Sequence, residues 1–311
     1  MTLHLFRNAL QILKPNPSRL YTYLHPPIVA GVQFSTAHEL KLKTGRESLW
    51  VNLGYWRDVE SCTVENYVRW PDLLTQAQMN LATLLADTAK LVESDEILDC
   101  GFGYGDQDIF WLEKYQPRRI VGINITKEQV RIASERARHL DFEHRLNIQH
   151  ASATKIPFPS KAFDVVLALE CAFHFDTREA FLQEAARVLK PGGRIAIADM
   201  FCTQPPNASS LRMFVQNLFR RRFNIPYANL CTQEKYRETL ERLGFHDIRI
   251  MSIAEHVFRP FRRQWVQFDK HPSTNKIRRH LEKIDGLSPD QFLWKLMTGI
   301  DEYAIVFGRA S

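Results

Sequence analysis

The stretch LDCGFGYGD, residues 98–106, places a glycine at every second position directly after an aspartate. The residues EILDC around its start form a short apolar run typical of a buried strand, and DIFWLEKY after it has the pattern of a helix. Glycine has no Cβ atom, so its backbone can approach a ligand closely. The stretch therefore predicts a strand, a ligand-binding turn and a helix in that order.

A dinucleotide-binding turn is one candidate for this stretch. It needs the spacing G-x-G-x-x-G, with a pyrophosphate at the positive end of the following helix. Gly101 and Gly103 fit that spacing, but the third position is Asp106. A carboxylate there already satisfies the helix end and would repel a pyrophosphate, so the spacing disfavours a dinucleotide.

The spacing that is present, Asp99-x-Gly101-x-Gly103-x-Gly105, resembles motif I of the class I S-adenosylmethionine-dependent methyltransferases. The resemblance covers about residues 73–202 and continues in VGINITKEQVRIA, HASATKIPFPSKAFDVV and ARVLKPGGRIAIAD. The motif GINIT, residues 122–126, followed by Gln129, resembles that of a subgroup whose members methylate small molecules and isoprenoids. The family resemblance implies S-adenosyl-L-methionine as cofactor, S-adenosyl-L-homocysteine as product and no metal.

The resemblance also implies which residues hold the cofactor. Asp99 would offer negative charge near its ammonium group, and the bare backbone of the glycines would admit the nucleoside and methionine portions. Asn124 would meet the ribose hydroxyls, and Gln129 is either a second ribose contact or part of a helix cap. The remaining cofactor residues implied are Ser152 and Ala153 beside the adenine and Glu170 at the methionine end. Asn124 and Ser152 stand where the family usually has acids.

Two residues are candidates for catalysis, because the methyl acceptor of this fold lies above the carboxyl ends of the fourth and fifth strands. His174 has an unperturbed pKa near neutrality and is the candidate base; a structural histidine is the alternative. Asp199 would orient His174 or cap the end of its strand.

Aromatic residues are candidates for contact with the substrate. NLGYW, residues 52–56, resembles a motif that precedes the core in the same subgroup, and Tyr55 and Trp56 would close over the sulfonium. Packing of a lid on the core is the alternative for both. Phe173, which follows the fourth strand, is the third predicted substrate contact.

Alternating strand and helix patterns predict an α/β fold: a Rossmann-like, seven-stranded, mostly parallel sheet with helices on both faces. Strand patterns lie in residues 97–100, 120–123, 146–149, 163–169 and 194–198, and IRIMSIA and YAIVFGRA supply two late strands. We expect an N-terminal helical lid in residues 1–72, the cofactor-binding core in 73–202 and the remainder of the core in 203–311. Lid insertions are expected near 203–232 and 255–298. Thr126 with Gln129, and Asp176 with Glu179, have the spacing of capping boxes.

The composition indicates which cellular compartment and which kinds of partner to expect. The formal charge of +6 mildly favours an anionic ligand, a membrane surface or nucleic acid. Five scattered cysteines without a CxxC pair indicate neither zinc nor a disulfide framework, so we expect a reducing, cytoplasmic setting. The N-terminus lacks the features of a signal peptide, and no apolar run reaches the ~20 residues of a membrane span.

The leading functional hypothesis is methylation of a small, substantially apolar metabolite or isoprenoid at carbon, nitrogen or oxygen. Methylation of a lipid, sterol or quinone at a membrane surface, and a cofactor-binding scaffold without catalysis, are the alternatives. Arginine is interleaved with aromatic residues in the segments RRRF (220–223) and FRPFRR (258–263). This composition suits a diphosphate with an apolar tail, a lipid interface, stacked bases or a solvated basic face. Nucleic acid is not expected as a partner, because Glu170-Cys171-Ala172-Phe173 replaces the N/D-P-P-Y/F turn of base-amino methyltransferases. Assembly into homo-oligomers stays open.

Overall fold

A computed structural model describes residues 48–60, 70–203, 224–269 and 299–311, without the side chains of 70, 71 and 262–269. Most of the predicted N-terminal lid lies outside these residues. The same holds for residues 204–223 of the predicted insertion 203–232, which include the basic-aromatic segment 220–223, and for residues 270–298 of the predicted insertion 255–298. In the segment 258–263, only the side chains of residues 262 and 263 are not described.

The described chain alternates helices and strands as the sequence patterns predict. The helices are α1 (Trp70–Ala89), α2 (Asp106–Lys114), α3 (Lys127–His139), α4 (Arg178–Val188), α5 (Gln233–Arg242) and α6 (Ala254–Asp269). The strands are β1 (Glu96–Cys100), β2 (Arg119–Asn124), β3 (Leu146–His150), β4 (Phe163–Leu169), β5 (Leu189–Phe201), β6 (Phe245–Ser252) and β7 (Glu302–Ala310). Short 3₁₀ turns span Ala172–His174 and Tyr227–Asn229.

The strands form one seven-stranded sheet in the order β3-β2-β1-β4-β5-β7-β6. Strand β7 runs antiparallel to both of its neighbours, β5 and β6, and the other pairings are parallel. The predicted seven-stranded, mostly parallel sheet is therefore confirmed. The chain moves outward in opposite directions from β1 and β4, and a sheet of this kind binds ligands where the direction reverses, outside the carboxyl ends of the strands.

Both faces of the sheet are covered, because successive strand residues point to opposite sides. Ile97 belongs to one apolar cluster together with Leu81 of α1 and Trp111 of α2. Its neighbour Leu98 belongs to the other cluster, with Phe181 of α4. A strand buried on both faces reads as a continuous apolar run, as β1, β2 and β4 do.

Helix boundaries differ from the capping predictions in detail. Thr126 is the N-cap of α3, but its side chain makes no cap hydrogen bond. Helix α4 is capped by Thr177, one residue after the predicted Asp176, and the Thr177 side chain accepts from the backbone N–H of Ala180. Two adjacent residues with capping side chains leave the exact start of a helix undetermined in sequence.

Residues 48–56, which we call the strap, run across α1. The backbone N–H of Tyr55 donates to the Ala77 carbonyl over 2.8 Å. Gly54 has a φ of +82°, and a Cβ atom there would lie 2.6 Å from the Ala77 Cβ. The glycine is thus required both by its backbone conformation and by the close approach of strap and helix.

Gly54→Ala should lower the free energy of unfolding by about 2–4 kcal/mol, since strain at positive φ adds to a steric clash. Gly192→Ala is the matched control: its φ is +75°, but no atom lies within 4 Å of the added Cβ. The control should lose only about 1 kcal/mol, as expected for positive φ alone. Urea denaturation of both variants measures the difference, and equal losses would show that the strap does not need its close approach to α1.

Candidate functional site

The glycine loop after β1 has the left-handed backbone that its three glycines permit. The φ angles are +87° at Gly101, +60° at Gly103 and +83° at Gly105. A Cβ atom on Gly101 would lie 2.7 Å from the Cys171 sulfur, and one on Gly103 would lie 2.7 Å from a methyl group of Val51 in the strap. No other residue type fits this loop without displacing its neighbours.

Asp106 joins three segments around the loop. Its carboxylate forms a two-pronged ion pair with the Arg136 guanidinium of α3, at 2.7 and 2.9 Å, and accepts the backbone N–H of Leu49 in the strap at 2.9 Å. Arg136 also donates to the Tyr104 carbonyl at 2.6 Å. The carboxylate therefore occupies the start of α2, where a dinucleotide would place its pyrophosphate.

Asp99 lies fully buried beneath this loop. Its Oδ2 accepts a hydrogen bond from the Gln107 side chain at 2.7 Å, and the equally buried carboxyl group of Asp108 is a close neighbour. Burial raises the pKa of Asp99 and of Asp108. Asp108 was not among the predicted site residues, because nothing in sequence shows that the first turn of a helix folds back over the preceding strand.

The carboxyl ends of β2 and β3 present the predicted nucleoside residues. The Asn124 side chain donates to the side-chain amide oxygen of Gln129 at 2.9 Å and accepts from the backbone N–H of Thr126 at 3.0 Å. The Ser152 hydroxyl lies 3.0 Å from that of Thr154. Gln129 is thus a hydrogen-bond partner of Asn124.

Two further residues frame this nucleoside edge. Ala153 is buried, with its side chain in the apolar cluster beneath α4. Ile125, directly after Asn124, is 65% exposed and is an apolar residue that the sequence analysis did not select.

Glu170 directly follows β4 and connects the strap to Tyr303 of β7 through hydrogen bonds. Its Oε2 accepts the backbone N–H of Leu53 at 2.9 Å and the Tyr303 hydroxyl at 3.0 Å. Burial raises the pKa of Glu170 to about 8, although both hydrogen bonds favour its charged form. The φ of +54° at Glu170 is unusual for a residue with a side chain and marks a constrained position.

His174 and Asp199 are not joined to each other. His174 lies in the 3₁₀ turn after β4, with its Nδ1 3.2 Å from the Asn224 carbonyl oxygen and its ring 4.0 Å from that of Phe173, centre to centre. Asp199 is fully buried and pairs with the Arg178 guanidinium, Nε to Oδ2 at 2.8 Å and Nη2 to Oδ1 at 3.0 Å. Asp199 therefore pairs with Arg178 of α4, and the prediction that it orients His174 by direct contact is corrected.

Asn229 holds the backbone on both sides of His174. Its side-chain N–H groups donate to the Phe173 and Phe175 carbonyls at 3.0 and 2.6 Å, and its Oδ1 accepts the Arg178 backbone N–H at 2.7 Å. Arg178 also donates to the backbone carbonyl of Asn229. Sequence reasoning missed both residues, because a contact across about fifty positions leaves no periodic signal.

The predicted substrate contacts fall into two groups. Trp56 is only 4% exposed, donates its indole N–H to the Leu53 carbonyl and packs edge-on against Phe261 of α6. Phe173 is buried as well, whereas Tyr55 is partly exposed. Their contact with a substrate stays a prediction. For Trp56, the packing alternative describes the observed surroundings.

The site fits the nucleoside cofactor that the resemblance implies. A backbone cradle that any Cβ would fill lies directly above Asp99, and the side chains at the nucleoside edge are uncharged hydrogen-bonding groups. Within the described ranges, no group of three or more His, Cys, Asp or Glu side chains is placed to bind a metal ion. No helix in the described part of the chain is long and apolar enough to cross a membrane.

The chain is similar in sequence to known methyltransferases. Residues 98–197 match the family model described as a methyltransferase domain. The chain is 38% identical to the erythromycin 3''-O-methyltransferase of Saccharopolyspora erythraea over 224 residues, which is 71% of this chain and 70% of that protein. It is 35% identical to the 27-O-demethylrifamycin SV methyltransferase of Amycolatopsis mediterranei over 163 residues, 51% of this chain and 56% of that protein.

A solved structure shares the fold at much lower identity. It is the geranyl diphosphate C-methyltransferase of Streptomyces coelicolor A3(2), in complex with Mg²⁺, geranyl diphosphate and S-adenosyl-L-homocysteine. The TM-score is 0.65 at 15% identity, over 89% of this chain and 99% of the other. This similarity concerns the fold alone.

Arg178→Met should lower the free energy of unfolding by about 3–5 kcal/mol, because it leaves the Asp199 carboxylate buried without a counter-ion. The double variant Arg178→Met/Asp199→Leu should regain part of that loss, since it removes both charges. Denaturant melts of the three proteins measure this. Equal stability of the single variant and the parent would mean that the pair contributes nothing.

Glu170→Gln should become more stable relative to the parent as the pH rises from about 5 to 8. An acid whose folded pKa is raised to about 8 contributes stability at low pH that is lost as the pH rises through that value, and glutamine does not titrate. Glu184→Gln is the control: the hydrogen bond from Arg187 lowers the pKa of Glu184, so this group titrates below the measured range and its replacement should show no such trend. Urea melts across this pH range measure both; parallel curves for parent and Glu170→Gln would contradict the prediction.

Proposed function

Because this chain belongs to the family of S-adenosylmethionine-dependent methyltransferases, we propose that it methylates a hydroxyl oxygen of a specialised metabolite. The observation that carries the choice of oxygen is the similarity to the erythromycin 3''-O-methyltransferase along 71% of the chain. The second relative, whose name also specifies an oxygen-linked methyl group, supports the same choice.

S-adenosyl-L-methionine, when bound, supplies the electrophilic methyl group. The glycine loop and Asp99 are proposed to hold its methionine portion, with Glu170 beside them at the end of β4. Asn124 and Gln129 would hold the ribose hydroxyls, and Ser152 and Ala153 the adenine. The binding site works by alignment and by excluding water, because methyl transfer is an in-line displacement that needs little else from the protein.

A hydroxyl acceptor needs a base, and His174 is the proposed one. If Nδ1 donates its proton to the Asn224 carbonyl, the lone pair of the neutral imidazole lies on Nε2, which can take the hydroxyl proton. Asn229 fixes the backbone on both sides of the histidine, so the ring is held at the end of β4. Asp199 contributes indirectly, by neutralising Arg178, which donates to the carbonyl of Asn229.

The proposal is tested with trideuteriomethyl cofactor and two groups of acceptors. One group contains O-demethylated erythromycin- and rifamycin-type metabolites, and the other contains geranyl diphosphate and phosphatidylethanolamine vesicles. We expect the label on an oxygen of the first group, identified by mass spectrometry and by the NMR signal of a methoxy group. Label on a carbon of the isoprenoid or on the lipid amine would overturn the choice of acceptor.

His174→Ala should lower the turnover of an accepted hydroxyl substrate by about 10²–10⁴-fold, the usual contribution of a general base. Its affinity for S-adenosyl-L-homocysteine, measured by calorimetry, should stay the same, because His174 is not placed in the cofactor cradle. His144→Ala, the same change at an exposed histidine, is the control and should keep full turnover. Equal losses of turnover and cofactor affinity in His174→Ala would assign the histidine a structural role.

A further inference from the structure

Two buried carboxyl groups lie together under the glycine loop, and the second has no assigned role. Asp99 is the fourth residue of β1 and Asp108 lies in the first turn of α2. Both side chains have no exposed surface. Carboxylates are almost never fully buried unless a partner compensates their charge, so the pair needs an explanation.

The hydrogen bonds around the pair are too few for two anions. Gln107 donates to Asp99 Oδ2 at 2.7 Å. If both groups were ionised, Asp99 Oδ1 and both oxygens of Asp108 would have no hydrogen-bond donor within the part of the chain that the structure describes. The two carboxyl groups act on each other at close range, and a hydrogen bond from one to the other would pair oxygens on both side chains. A contact between two carboxyl groups requires a proton on one of them.

The neighbouring charges do not supply a counter-ion. Arg136 is the cation that acts on Asp108, but it forms a two-pronged ion pair with Asp106, whose negative charge acts on Asp108 in the opposite direction. The other titratable groups near Asp99 are the thiols of Cys100 and Cys171. A thiol cannot supply a positive charge, and burial raises the pKa of both thiols, so they add no negative charge either.

We propose that Asp108 is a neutral acid at physiological pH whose proton is donated to Asp99, so that the single negative charge of the pair lies on Asp99. Asp108 is then a positioning residue for the cofactor: it acts through Asp99, the carboxylate proposed to face the cofactor's ammonium group. This inference rests on the cofactor site of the proposed function.

The choice of Asp108 as the proton carrier has two supports. Gln107 already donates to Asp99, and donors stabilise an ionised carboxylate. Asp108 lies in the same helical turn as Asp106, and the charge of that ion-paired carboxylate raises the pKa of Asp108 further. The positive end of α2 favours an anion, but the Asp106 carboxylate already occupies that position.

The test compares two nearly isosteric replacements by calorimetric titration with S-adenosyl-L-homocysteine. Asp108→Asn keeps an N–H donor to Asp99 without a charge, whereas Asp108→Leu has neither a donor nor a charge. We expect Asp108→Asn to bind within about twofold of the parent and Asp108→Leu to bind about tenfold or more weakly, since a buried charged group loses its donor.

A pH series gives a second measurement that loss of packing alone would not change. The affinity of the parent should fall as the pH falls through the pKa of Asp99, which burial raises to about 7, because protonated Asp99 carries no charge for the ammonium. Asp108→Asn should keep the midpoint of the parent. Asp108→Leu should move it to higher pH, because a lost donor disfavours the charged form.

Asp95→Asn is the matched control. Asp95 is a buried aspartate paired with Arg194 at the opposite end of β1, so its replacement should lower the melting temperature but leave the affinity and its pH midpoint unchanged. The proposal is overturned if Asp108→Asn binds as weakly as Asp108→Leu, or if Asp108→Leu binds like the parent. Should Asp108→Leu not fold, a midpoint for Asp108→Asn below that of the parent overturns it alone. A parent that binds neither S-adenosyl-L-methionine nor its product refutes the proposed function as well.

Discussion

The left-handed backbone of Gly101, Gly103 and Gly105 is the constraint on which the site depends. It lets the chain leave β1, turn under the strap and begin α2 within a few residues, with side chains excluded by Cys171 on one side and Val51 on the other. Three acidic residues lie around this turn. Asp99 lies below it, Asp106 at its exit and Glu170 beside it, at the end of the neighbouring parallel strand.

Much of this arrangement could be predicted from sequence. The glycine spacing, the apolar runs of the strands and the order of the family motifs are local patterns, and they located β1 to β5 and the carboxyl edge correctly. The late strands were also located, since YAIVFGRA is too apolar to lie in a loop. These features were predictable because each depends on the chemistry of about ten consecutive residues.

The charged partners could not be predicted, because they depend on contacts between distant segments. Asp106 with Arg136, Glu170 with Tyr303 and the strap, and Arg178 with Asp199 all pair residues that lie at least twenty positions apart. The relation between Asp99 and Asp108 could not be predicted either, although they lie only nine positions apart in sequence. The sequence places Asp99 in a strand and Asp108 in the first turn of a helix, and only the structure shows that both are fully buried under the same loop.

The position of β7 has a consequence for how the sheet is completed during synthesis. Strand β6 leaves the ribosome about fifty residues before β7, yet in the described sheet β6 pairs with β7 alone. The parallel half, from β3 to β5, has all of its partners as soon as β5 has emerged. The nascent chain can therefore assemble the parallel half of the sheet early. The other edge of β5 stays unpaired until β7 has been translated, more than a hundred residues later.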